Sequence, residues 1–253
     1  MGYIFEYTGL GLSPLIYASI VLLVAGFVRG YSGFGFSALA VTGLSLFLLP
    51  KQIIPVILCL EVCASIHMLP KVWHKINWQL IAYLAVGAAC ATPFGIWILA
   101  TLPEKPMRIT LYLLVLALSL VLLAGVKIAH AEKNRTQFAV GGVSGLFNGI
   151  AALGGLPVVL FLIAVGAEAV FLRATTVAYF LIIDILALGS AYSHQLFNME
   201  VLWRVVLFIL PVAIGVQLGS RHFFNANPDS FKKFTLVLLI GLSLSGLIKT
   251  ALF

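Results

Sequence analysis

Apolar runs dominate the chain, at about Pro14–Leu49, Ile53–Leu69, Trp78–Thr101, Ile109–Val126, Phe138–Val165, Ala169–Ala191, Val205–Ser220 and Phe234–Leu252, with short polar connections between them. Trp78–Thr101 and Ile109–Val126 contain no charged residue. Both reach the ~18 residues a helix needs to cross the hydrocarbon core of a bilayer. Two runs are too long for one crossing. Tyr7–Pro50 is 44 residues with Arg29 as its one charge, and Thr136–Ala167 is 32 residues with none. At about 1.5 Å per residue a single helix of either length would overshoot a ~30 Å core. Each is therefore expected to be a pair of shorter helices or a hairpin, broken where glycines cluster.

The two long runs resemble each other. Gly35 in SGFGFSAL and Gly154 in AALGGLPV lie 119 positions apart, Gly95 in PFGIWIL and Gly215 in VAIGVQL 120, and TLYLL at Thr110 and TLVLL at Thr235 125. The recurrence in constant order predicts two homologous halves, residues 1–126 and 138–253, joined by the polar connector KIAHAEKNRTQ over 127–137.

Composition agrees with the pattern: 62% of the 253 residues are hydrophobic and 9% charged, against about 25% charged in ordinary soluble domains. The expected fold is an all-α polytopic membrane protein with about eight to ten membrane segments. Its N-terminus, MGYIFEYTGL, has neither a basic region nor a small-residue cleavage site, so no removable signal peptide is expected. The net charge of +7 is accounted for by loop lysines and arginines, with no nucleic-acid partner implied. If each long run returns to the side it started from, Lys71, Lys75, Lys127, Lys133, Arg135, Arg173, Arg221, Lys232 and Lys233 share one side, against Lys51, Lys105, Arg108, Arg204 and Lys249. Nine against five makes the first side cytoplasmic and places both termini outside. Each half then crosses an odd number of times, so the second is inverted. Inverted repeats with broken helices are transporter architecture, with the substrate near the midplane.

RGYSGFGFSAL, Arg29–Leu39, is the most informative stretch. Gly30, Gly33 and Gly35 tolerate backbone angles closed to other residues, and freed amides in lipid need protein or water to satisfy them. Amides at a half-helix N-terminus beside the Arg29 cation suit an anion. The second copy, NGIAALGGLPVV, carries Gly149, Gly154, Gly155 and Pro157, with Asn148 at the place of Arg29. Close helix packing is the competing reading of these glycines. Other ionisable groups in apolar runs are Glu61, Asp184 and Arg173. Glu61 and Asp184 are candidates for proton coupling, and Arg173 for a second anion contact. The structural alternatives pair Glu61 with Arg29, put Asp184 at a helix interface and make Arg173 an interfacial anchor. Trp73, Trp78, Trp97 and Trp203 fit an aromatic belt, and His67 an interface. Cys59, Cys63 and Cys90 form no metal-ligand set, and no GxxxxGK loop for ATP appears. No catalytic constellation, metal or cofactor is expected.

The paired motifs RGYSGFGFSALAVTGLSLFLLP and NGIAALGGLPVVLFL resemble those of the sulfite exporter TauE/SafE family, also called toluene-sulfonate uptake permeases. The likeness runs from about Leu15 to Leu252 and takes in FLRATTVAYFLIID and the tryptophan of KINWQ. Phe36 replaces a common third motif glycine, and the second copy has LGG in place of GFG. The resemblance implies a bacterial inner-membrane secondary transporter of small sulfur-containing anions such as sulfite or organosulfonates, often exporting them. The residues Arg29, Gly30, Ser32, Gly33, Phe34, Gly35, Asn148, Gly149, Gly154, Gly155 and Arg173 are the candidate binding set. A passive anion channel and a carrier for a small carboxylate are the alternatives. The exact substrate, the transport direction, the coupling ion, protons included, and the oligomeric state, a homo-oligomer included, are open at this point.

Overall fold

The computed structural model describes residues 8–125, 133–222 and 228–252. Lys127 and most of the predicted connector lie outside them. Ten α-helices occur among the described residues: α1 (Leu12–Ser32), α2 (Phe36–Leu44), α3 (Pro50–Val72), α4 (Trp78–Thr101), α5 (Glu104–Ala124), α6 (Asn134–Ala151), α7 (Gly155–Ala164), α8 (Ala169–Ser193), α9 (Met199–His222) and α10 (Pro228–Leu252). Seven of them are long and apolar enough to cross a membrane, and no strand is present among the described residues. The chain is an all-α, multi-pass membrane protein.

Both long runs are broken, as their length required. Gly33 ends α1 with φ +82° and Gly35 precedes α2 with φ +88°. In the second run Ala152 (φ +55°) ends α6, and α7 begins at Gly155. Gly33 and Ala152 are 119 positions apart, and the amide of each donates to the carbonyl four residues back, Arg29 and Asn148 respectively. Only one of the two left-handed positions carries glycine. The breaks sit later than the first glycine of each motif, because Gly30 and Gly149 lie inside α1 and α6.

Those inner glycines serve helix packing. α1 lies on α9 and α6 on α4. A methyl group at Gly30 would collide with the Val216 carbonyl, and one at Gly149 with the Thr92 carbonyl. Gly145, Gly215 and Gly219 make equally close approaches, and Gly26 a somewhat looser one. Small residues let backbones come near enough for dispersion to hold helices together where lipid removes the hydrophobic drive.

The two sets of contacts share a register. Gly30 faces Val216 and Ser220, whereas Gly149 faces Thr92 and Ile96, so α1 matches α6 at a spacing of 119 and α4 matches α9 at 124. Gly95, against Leu146 and Ile150, therefore stands where Gly219 stands, against Phe27 and Tyr31. The 120-residue pairing of Gly95 with Gly215 differs from this contact register by one helical turn. Both choices keep a glycine on the same helix face, which is why the sequence alone does not separate them.

Cross-links identify two ends of the bundle. At one, Lys51 Nζ donates to the Ala100 carbonyl (2.8 Å), Arg204 Nε to the Thr8 carbonyl (2.9 Å) and Lys249 Nζ to the Leu46 carbonyl (2.7 Å). At the other, Asn134 Nδ2 meets Tyr83 Oη at 2.9 Å and Arg173 meets Ser220. α2 leads toward the first end, where α3 starts, and α7 toward the second, where α8 starts. Their N-termini meet inside the bundle, where Gly35, Ser37 and Ala38 lie across a small void from Ala152, Leu153, Gly155 and Leu156.

Candidate functional site

Glu61 lies eleven residues from each end of α3, about 16 Å along the helix from either end. Its carboxylate and the Arg29 guanidinium are essentially sealed from solvent, at 1% and 0% exposure. Glu61 Oε1 lies 3.0 Å from Arg29 Nη2, while Ser37 Oγ donates to Glu61 Oε2 at 2.5 Å. Arg29 Nη2 also donates to Ser65 Oγ (2.9 Å), and Nη1 to the Gly33 carbonyl (2.5 Å). The guanidinium carbon sits 4.3 Å from the centre of the Phe180 ring, a cation–π stack.

Local sequence explains this placement. Arg29 is in the last turn of α1, where freed carbonyls favour a cation. Gly33 turns its carbonyl back onto Arg29, and Thr176 Oγ1 donates to the same oxygen (2.9 Å). Ser37 is in the first turn of α2, whose amides have no intrahelical partners and attract negative charge. The Glu61 carboxylate is thus held between the Ser37 hydroxyl in the first turn of α2 and the Arg29 guanidinium. Gly155 makes room for Phe180, since a methyl group there would run into the ring.

A second buried polar group adjoins it. Asn148 Nδ2 donates to Asp184 Oδ1 (2.9 Å), and Asn148 Oδ1 accepts from the Gly154 amide (3.3 Å). Asp184 is 1% exposed, and its other oxygen has no hydrogen-bond partner among the described residues. Tyr179 Oη donates to Ser144 Oγ at 2.8 Å, and Ser144 donates to the Gly154 carbonyl. The α7 end offers fewer amide donors than α2, because Leu156 bonds back to the Leu153 carbonyl and Pro157 has no N–H.

The predicted residues sort into three groups. Arg29, Gly33, Gly35, Glu61 and Gly155 meet at the centre, and Asn148, Asp184 and Gly154 form the adjoining group. Gly30 and Gly149 are in helix contacts, Ser32 Oγ caps the turn by donating to the Val28 and Phe34 carbonyls, each at 2.8 Å, and Phe34 is buried. Arg173 backs onto Gly33 through its stem but sends its guanidinium to Ser220 Oγ (3.0 Å). Ser37, Ser65, Thr176 and Phe180 were missed. The repeat spacing could have found two of them: 119 residues beyond Glu61 is Phe180, and 119 beyond Ser65 is Asp184. Trp73, Trp78, Trp97 and Trp203 are exposed, and His67 Nε2 lies 3.3 Å from Gln217 Oε1.

No curated protein and no solved structure matches the chain. A family model described as sulfite exporter TauE/SafE matches residues 18–246, which takes in every group of the buried site. The chain belongs to the sulfite exporter TauE/SafE family of membrane transporters.

Proposed function

We propose that the protein is a secondary transporter that exports a small anion, sulfite or an organosulfonate, across the bacterial inner membrane by alternating access between two inverted halves. The observation that carries this reading is the Glu61 carboxylate resting on Arg29 at the first turn of α2. A place built to hold one carboxylate holds another small oxyanion equally well, so Glu61 is a tethered competitor of the substrate. An incoming anion displaces it, and a proton on Glu61 removes the competition and frees Arg29. Proton coupling follows from that exchange, with Asp184 as the second candidate carrier.

Two further observations support a carrier over an open pore. The void between the α2 and α7 N-termini is about 10 Å³, room for about one water-sized guest, so an anion enters only when the two half-helices part. The matching contacts of α1–α9 and α6–α4 supply two similar bodies to move. An anion leaving a negative-inside cell also moves down the potential, by about 2.3 kcal/mol per charge per 100 mV.

The test is flux in reconstituted vesicles with labelled sulfite, sulfonates and carboxylates. Wild-type flux should saturate and be accelerated by substrate on the far side, Arg29→Ala should abolish it, and Glu61→Gln should remove its dependence on a pH gradient. Non-saturating flux would favour a channel, and unchanged rates in Arg29→Ala would refute the site.

A further inference from the structure

A second cavity, of about 280 Å³, opens where the end of α3, the start of α8 and the end of α9 converge. Three cations line it, Lys71, Arg173 and Arg221, together with Gln217 and Ser220, and among the described residues no carboxylate does. Lys71 and Arg221 are exposed at its mouth, while Arg173, 7% exposed, forms its floor. The pocket at the opposite end of the bundle differs. There Arg108 is paired with Glu104 (3.0 Å) and bonded to the Ser45 carbonyl, and Lys249 is held by the Leu46 carbonyl. Arg108 and Lys249 are thus engaged by the segment that follows α2.

The floor of the cationic cavity connects to the buried site in two steps. Arg173 Nη2 donates to Ser220 Oγ, which in turn donates to the Gly30 carbonyl at 3.4 Å. The Arg173 stem packs on Gly33, whose carbonyl holds Arg29. We infer that this cavity is a loading site for a small oxyanion, with Lys71 and Arg221 gathering it at the mouth and Arg173 passing it toward Arg29. This rests on the anion-transport reading. The cavity exceeds the central void many-fold, so a sulfite-sized ion is accommodated there with some of its water, and a cleft walled by one sign of charge raises the local concentration of the opposite sign.

The experiment has two arms, each comparing wild type with Lys71→Gln/Arg221→Gln and with the charge-retaining Lys71→Arg/Arg221→Lys. In the first, purified protein in detergent is titrated with millimolar sodium sulfite or sodium sulfate at constant ionic strength in chloride, and Tm is followed. Wild type and the charge-retaining variant should be stabilised, and the neutral variant should lose most of that shift. In the second, sulfite uptake is measured in inverted and right-side-out membrane vesicles. The neutral variant should raise the half-saturating concentration roughly three- to tenfold from the face bearing Lys71, with weaker dependence on salt, as expected when steering charges are lost. A neutral variant with the full Tm shift and unchanged half-saturation overturns the loading site. An anion-dependent Tm shift that depends on Lys71 and Arg221, in vesicles that carry no sulfite, upholds the cavity and refutes the transport reading instead.

Discussion

Arg29 shows how one side chain can serve folding and function at once. Buried ion pairs are costly to desolvate, and removing one partner typically costs about 3–5 kcal/mol because the other charge is left stranded. Arg29→Met should therefore destabilise the protein by roughly that amount. Arg29→Met/Glu61→Met should recover most of the loss in a denaturation assay and still transport nothing, because an apolar pair packs well but binds no anion. Recovery of flux in the double variant would show that the pair is structural only. Arg29, Glu61, Asn148 and Asp184 were legible because polar groups in apolar runs are conspicuous. Ser37 and Thr176 were not, since hydroxyl residues are ordinary in membrane helices and only their contacts make them part of the site, while Ser65 and Phe180 are marked in the sequence by nothing but their 119-residue spacing from Asp184 and Glu61.

Among the elements, the glycines divide by what faces them. Gly30→Ala and Gly149→Ala should each cost about 1–3 kcal/mol or block assembly, as a methyl group would meet a neighbouring backbone with no room to yield. Gly241→Ala in α10 meets nothing within 4 Å and should be neutral or gain up to about 1 kcal/mol from helix propensity. Thermal unfolding of the three variants in one detergent checks this contrast; equal behaviour would mean that the α1–α9 and α4–α6 contacts are looser than described. The half-helices were predictable in number from run length and in approximate place from the glycine clusters, and the breaks fall at Gly33–Gly35 and Ala152–Gly154. That Gly30 and Gly149 belong to helix contacts was not, because the same residue type serves a turn and a close crossing.

Over the whole molecule, seven of the described cations fall at the two ends of the bundle in the grouping that the loop-charge argument assumes, and which end is cytoplasmic is a proposal. Lys51, Arg108, Arg204 and Lys249 are at the end where α3 begins, and Lys71, Arg173 and Arg221 at the end where it finishes. With Cys59, Cys63 and Cys90 replaced by serine or alanine, Lys105→Cys should be labelled by a membrane-impermeant maleimide added to intact cells, and Lys75→Cys only after the membrane is opened. The reverse pattern would turn the proposed orientation over. It would also place the cationic cavity outside, making it a release site for an exporter.

The sequence by itself determined the environment, the all-α class, the two broken runs and the ionisable residues of the site, because each follows from local composition and from the length of a helix against the thickness of a bilayer. The tertiary structure decided which glycines turn the chain and which let helices touch. It also decided the register in which α1 meets α9 and α6 meets α4, and that Glu61 rather than solvent or lipid meets Arg29. Those outcomes depend on which helix faces lie within a few ångströms of one another. In a chain where nearly every helix is apolar on all sides, the pattern of residues along one helix carries little information about which face meets which neighbour.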